Sequence, residues 1–227
     1  MRTATHLLVL TSSLLASANA LAGQVSIDGL GAPGSVFAEI ADAMNWVASQ
    51  PSNNYTVRAA SGRYAAFDFA ENATLSWGSS PGVIDIGGNL WVRPSGQMLF
   101  EIAGTDNSGA PTGAPVQCDT VLVDGGNVLY EGRLSIVLLG GFTPTLGDTF
   151  ELIAATGSVT WNAASATVVG PALGNGLFWQ VTVGASSFGT PAGYGTFSNA
   201  LFATVVPAPG AIALLAAAGL ISTRRRR

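Results

Sequence analysis

The feature that most constrains this chain is a phrase it uses twice. Asp85-Ile-Gly87-Gly88-Asn89-Leu90-Trp-Val92 is echoed by Asp124-Gly125-Gly126-Asn127-Val128-Leu129, about forty residues further on. Each phrase leads into another apolar run, Met98 to Ile102 after the first and Leu134 to Leu139 after the second. Glycine and asparagine tolerate the positive φ that a sharp corner demands, so Gly-Gly-Asn marks where one strand turns into the next. A repeated strand–corner–strand unit can stack on its own copies. The expectation is therefore an all-β solenoid with coils of about twenty residues, two coils to each echo. The same glycine dipeptides also close hairpins, and a β-sandwich is the alternative.

The flanking sequence agrees with extended structure. Charged residues are only 10% of the chain while glycine numbers 29, a balance that suits strands and tight turns better than helices. One segment breaks the pattern. From Ser35 to Gln50, Phe37, Ile40, Ala41, Met44 and Val47 recur at helical spacing. Ser35 is the expected N-cap, and Pro51 with Ser52-Asn53-Asn54 the stop. From Tyr55 the period is two, with strands expected at 55–59, 66–69 and 73–77 and a turn at Ser61-Gly62-Arg63. Later, Phe178 to Val183 reads as a strand and Ser186 to Ser198 as a loop leading to the C-terminal tail.

This helix followed by Val57-Arg-Ala-Ala-Ser-Gly62-Arg-Tyr64 resembles the opening of right-handed β-helix proteins of the pectin-lyase type. The resemblance implies a single-stranded right-handed β-helix whose first coil is capped by the helix. A cap has a physical motive, since an open solenoid end exposes unpaired strand edges. The stretch from Cys118 to Val123 and on through Gly140-Gly-Phe142-Thr-Pro144 to Ile153 is similar to a phrase near the C-terminus of exported, repeat-rich bacterial surface proteins, often with autotransporter tails. That similarity supports the class and names no chemistry.

Both ends carry export signals. Arg2 and His6 precede an apolar core from Leu7 to Leu15, and small residues at Ala18, Ala20 and Ala22 offer cleavage sites, with cleavage expected after Ala22. At the other end Val206-Pro207-Ala208-Pro209-Gly210 leads to an apolar run from Ala211 to Ile221 and then to Arg224, Arg225, Arg226 and Arg227. That run falls short of the roughly 20 residues of a membrane span unless Leu201 to Val206 are added. The arginines should stay on the cytoplasmic side. The order of features resembles a PEP-CTERM tail, the signal of exosortase-processed bacterial surface proteins, with Pro207-Ala208-Pro209 where the family has Pro-Glu-Pro. The resemblance implies a sorting protease as partner and a membrane helix before processing. The expected organisation is a signal peptide at 1–22, a β-rich extracellular domain at 23–200 and a sorting tail at 201–227.

Composition excludes much chemistry. The only histidine is His6 in the signal segment, the chain has no lysine, and Cys118 is alone. No Ser-His-Asp triad, imidazole metal ligand, zinc–thiolate cluster or intramolecular disulfide can form. Cys118 reads as a small buried apolar residue. Between the two signals, four arginines face thirteen carboxylates, a formal charge of −9 that argues against nucleic acid as a partner. Carboxylate chemistry remains. Asp85 and Asp124 hold equivalent places in the echo, where an intervening coil would keep them about 10 Å apart, and Glu101 and Glu131 are further candidates. Asp106-Asn107-Ser108-Gly109 reads as a turn, since it lacks the other ligands of a calcium loop. Trp46, Trp77, Trp91, Trp161 and Trp179 read mainly as core or edge residues, with a sugar-stacking row as the alternative. No residue is assigned to catalysis, metal or cofactor. The expectation is a non-enzymatic exported structural protein of the cell envelope or extracellular matrix, meeting surface polysaccharide; a carbohydrate-active enzyme or carbohydrate-binding module is the alternative.

Overall fold

The computed structural model describes residues 25–29, 36–50, 54–69, 73–77 and 81–208. The signal segment 1–22, the sorting residues Pro209, Gly210 and Arg224 to Arg227, and the helix expected from Ala211 lie outside the described residues.

β1 (Val25–Asp28) pairs antiparallel with β2 (Val36–Phe37), and the helix α1 (Ile40–Ala48) follows. β3 (Tyr55–Ala59) lies antiparallel to β1. From there to residue 169 every ladder between these elements is parallel. β4 (Gly62–Asp68), β5 (Ala73–Trp77), β6 (Val83–Val92) and β7 (Gln97–Ile102) alternate between two sheets. A 3-10 turn at Ala110–Thr112 interrupts the passage to β8 (Thr120–Asp124) and β9 (Val128–Tyr130). β10 (Arg133–Leu138), β11 (Thr149–Ala155), β12 (Val159–Trp161) and β13 (Thr167–Val169) continue the alternation. β14 (Leu177–Gly184) and β15 (Asn199–Pro207) then form an antiparallel pair, with β15 laid against β11. One sheet runs β13-β10-β7-β5-β3-β1-β2, and the other β12-β9-β6-β8-β11-β15-β14 with β4 beside β6. The protein is all-β, with one α-helix among the described residues.

The registers stack like on like. Val57, Leu75, Met98, Leu134 and Val168 are successive partners in the first sheet. Tyr64, Ile86, Val123 and Ala155 form a second column, and Phe67, Leu90, Val128 and Val159 a third. The chain visits the three columns in the same order on each circuit, and all three belong to one core. Inward positions must be apolar and outward ones need not be, which is the physical origin of the period-two pattern. α1 lies over the first circuit, burying Ile40, Ala43, Met44 and Val47 and packing against β4.

The corner between the second and third columns explains the echo. Asn127 donates its N–H to Asn89 Oδ1 at 2.8 Å, and Asn127 Oδ1 accepts the N–H of Ser158 at 2.8 Å and its hydroxyl at 2.9 Å. Beside this ladder Gly88, Gly126 and Gly157 stack so closely that a Cβ on Gly126 would fall into the Gly88 carbonyl, and one on Gly157 into Gly126. Glycine is required here by the neighbouring turn of chain.

Four expectations are corrected. The echo is one circuit, not two: Asn89 and Asn127 are direct neighbours 38 residues apart, and Asn127 and Ser158 follow at 31. Long excursions such as 103–119 lie outside the columns and lengthen the circuit without disturbing the stack. The helix begins at Ile40, not Ser35; Val36 and Phe37 are claimed by β1, and Glu39 stands at the N-cap without a side-chain cap bond. Gly62 and Arg63 belong to β4 rather than to a turn. Finally, Leu201 to Pro207, read as the start of the tail, are strand β15, with Leu201, Ala203 and Val205 fully buried. The domain therefore runs past residue 200. The Ser186–Ser198 loop leads into this strand.

Replacing Gly126 by alanine is expected to cost about 3 kcal/mol, since the obstruction is backbone that cannot swing away. Gly125→Ala, at φ +73° with open space around it, should cost only about 1 kcal/mol. Equal losses in urea denaturation of the two variants would contradict the stacked-corner account.

Candidate functional site

Arg63 on β4 and Asp85 on β6 are direct register partners, and Asp124 ends β8, opposite Gly87. Parallel strands lie about 5 Å apart, so outward side chains on three adjoining strands converge. Arg63 Nη1 stands 3.5 Å from Asp85 Oδ2, and Nη2 donates to Asp124 Oδ2 at 3.0 Å. One guanidinium thus holds the two aspartates of the echo. They sit on neighbouring strands, closer than the expected spacing with a coil between them.

A loop completes the site. Glu151 is buried and anchors the loop by accepting the Ser186 hydroxyl at 2.5 Å and the Ser187 N–H at 3.1 Å and hydroxyl at 2.5 Å. Phe197 then packs on Leu122 and Ala154, the outward residues of β8 and β11, with Phe188 and Tyr194 beside it. This covering explains why β8 is buried on both faces. Tyr194 ends beside Asp85 with the Arg63 guanidinium 5.8 Å from its ring centroid, and the Gly195 N–H reaches Asp124 Oδ1 at 3.2 Å.

The result is a cleft of about 1100 Å³. Glu39, Arg63, Asp85 and Tyr194 line its polar part, while Pro81, Val83, Ala110, Pro115 and Val116 supply apolar wall. Glu39 also accepts the Ala65 N–H at 3.0 Å, tying the segment before α1 to β4. Asp85 is 5% exposed, and its Oδ1 has no hydrogen-bond partner. Burial raises the Asp85 pKa; Arg63 and a hydrogen bond from Tyr194 oppose the rise, and Asp124 adds to it. Burial first, and then the Asp85 charge, push the Tyr194 hydroxyl up to about 12. The Asp85 carboxyl beside the Arg63 guanidinium places an acceptor and a fixed donor side by side in the cleft, groups that can hydrogen-bond a hydroxyl-bearing ligand.

The remaining candidates do not gather. Glu131 accepts the Trp91 indole N–H at 2.9 Å and the Asn162 amide at 2.9 Å, on another face. Glu101 lies beside Asp119, which is fully buried and accepts the N–H groups of Gly82 at 2.8 Å and Glu101 at 2.7 Å. Asp106 makes the expected turn, accepting the Ser108 N–H at 3.0 Å. Cys118 is buried, and burial raises its thiol pKa far above the ordinary value. The tryptophans form no exposed row. Trp77 and Trp179 are core, Trp46 and Trp161 are partly buried against it, and the exposed Trp91 lies under Arg93, 4.5 Å from its ring centroid. Of the sorting residues, Val206 and Pro207 are in β15, and the Ala208 N–H donates to Gly176 at 2.6 Å. Arg63 and Tyr194 were missed in the sequence. Arg63 carries a signal, as one of four arginines between the two export segments; Tyr194 carries none within its glycine-rich loop.

No protein-family model matches this chain, and no curated protein is found to match it.

Asp119 sets a pH dependence. Burial raises its pKa from 3.8 to about 8, against two backbone hydrogen bonds and with Glu101 adding to the rise. A carboxyl that binds its proton more tightly folded than unfolded contributes stability below the unfolded pKa, and that stability is lost as pH climbs through the folded value. The thermal midpoint should therefore fall from pH 5 to pH 8.5, and Asp119→Asn should flatten the fall. A midpoint that rises across this window, measured by calorimetry, would contradict the assignment.

Proposed function

We propose that this chain is an exported, non-enzymatic surface protein, a right-handed β-helix capped by α1 and sorted to the cell envelope by a PEP-CTERM-like tail. The observation that supports the reading is where the described strands lie relative to the two signals. Among the described residues, the first strand begins at Val25, close behind the expected cleavage after Ala22, and the last ends at Pro207. The Pro207-Ala208-Pro209 signal thus begins at the end of β15, the last described strand, at the edge of the domain where a protease can reach it. The β-helix reading is supported by parallel, in-register pairing and by three columns visited in constant order, whereas the sheets of a sandwich are commonly antiparallel. An exosortase-type protease is the partner of the tail. Surface polysaccharide is the partner of the domain, met at the Arg63 cleft, whose apolar wall and carboxyl groups suit the two faces of a sugar.

Mass spectrometry of the mature protein from its host should find an N-terminus at Gly23 and a C-terminus within Pro207 to Gly210. Intact arginines on the mature protein would overturn the sorting reading. Truncation after Ala208 should release a folded domain into the medium. Truncation before Val206 should destabilise it, because Val206 and Pro207 pair with Phe178 and Leu177.

A second reading, a carbohydrate-active enzyme, is favoured by the meeting of Asp85 and Asp124 on the one guanidinium of Arg63, with Asp85 and Arg63 lining the cleft. It requires cleavage of a polysaccharide that Asp85→Asn or Asp124→Asn abolishes. The first reading expects binding without cleavage when the domain is incubated with a polysaccharide panel.

A further inference from the structure

A sheet edge presents unpaired N–H and C=O groups, and soluble proteins blunt such edges by shortness, charge, proline, bulges or a covering element. Most edges here are blunted. β2 has two residues, β12 and β13 have three each, and the edge of β4 lies under α1 with Glu39 bonded to Ala65. β14 is the exception. It has eight residues, no charge, no internal proline and an unbroken register with β15. Trp179 anchors its first half in the core, while Gln180, Thr182 and Val183 are exposed. Among the described residues, no backbone hydrogen bond joins Phe178 to Gly184 to anything but β15.

We propose that β14 is the surface by which a second copy of this chain binds, adding its own β14 antiparallel and continuing the eight-stranded sheet across a two-fold axis. Charge points to that occupant. No charged residue lies between Glu151 and Arg224, so β12 to β15 form a neutral end, while every carboxylate lies at Glu151 or earlier. Copies of the acidic domain repel wherever those carboxylates face each other, and β14 is where two backbones can meet without that cost. Length points the same way. Among the described residues, the far end of the sheets offers only the two residues of β2 and the helix-covered β4, neither of which matches β14 in a head-to-tail stack. Eight residues match eight only when β14 meets β14, and two identical edges related by a two-fold axis run antiparallel. Val181 and Val183 share one face of the strand and gain cross-strand neighbours.

Sedimentation velocity of the full-length chain in mild detergent, over a concentration series, tests this. The wild type should form a discrete dimer. Gln180→Lys with Thr182→Lys, both at exposed positions, should raise the dissociation constant at least tenfold while leaving circular dichroism and the thermal midpoint unchanged. In the wild type, hydrogen exchange of the amides from Gln180 to Gly184 should slow as the dimer fills, a readout that holds even if the lysine variant fails to fold. A monomer at every concentration, a dimer indifferent to the lysines, an open-ended polymer, or exchange that ignores concentration would each overturn the proposal.

Discussion

In-register parallel stacking sets the terms for everything else in this protein. Each backbone amide between two circuits finds a partner only if both circuits turn the same corner at the same height. That requirement is local and unforgiving where circuits touch. At the corner of Gly88, Gly126 and Gly157 there is no room for a side chain, and Asn89, Asn127 and Ser158 pass hydrogen bonds along the stack. Between the corners the rule relaxes. The excursion over 103–119 adds length outside the columns, so circuits of 38 and 31 residues share one register.

The cleft follows from the same stacking. Register places Arg63, Asp85 and Asp124 on adjoining strands, and the turn-by-turn rise of the chain brings their side chains together. A solvated row of two aspartates and one arginine would be an ordinary surface feature with weak pairing. The loop of Tyr194 changes that by burying Asp85. It is held down by the buried Glu151 at one end and by Phe197 on Leu122 and Ala154 at the other. A carboxylate thus holds in place the loop that desolvates another carboxylate.

The domain is electrically uneven along its axis. Its carboxylates all sit at or before Glu151, on circuits where arginines and backbone amides answer several of them. The last strands are neutral, and there the pairing changes from parallel to antiparallel at β15. An antiparallel hairpin can end a stack without a further crossover, and its register puts Ala208, after the end of β15, beside Gly176, just before the start of β14.

Strand content, the early helix and the special corners were legible in the residues, because each is a local matter. Period-two apolarity marks the faces of a strand, helical spacing marks α1, and Gly-Gly-Asn marks a corner that refuses a Cβ. What a strand pairs with leaves no such mark. The echo revealed equivalent positions but not that they were neighbours, since that depends on how much chain loops out between them. Asp85 and Asp124 therefore read as distant, and Arg63 did not read as their link. Leu201 to Val206 looked like the start of an apolar tail, because alternating Leu, Ala, Thr and Val suits either a buried strand or lipid, and only β11 beside it decides which. The sequence by itself determined which residues could be strand, corner and helix. The tertiary structure alone decided which of them touch, because contact between circuits is set by register across intervening chain of no fixed length.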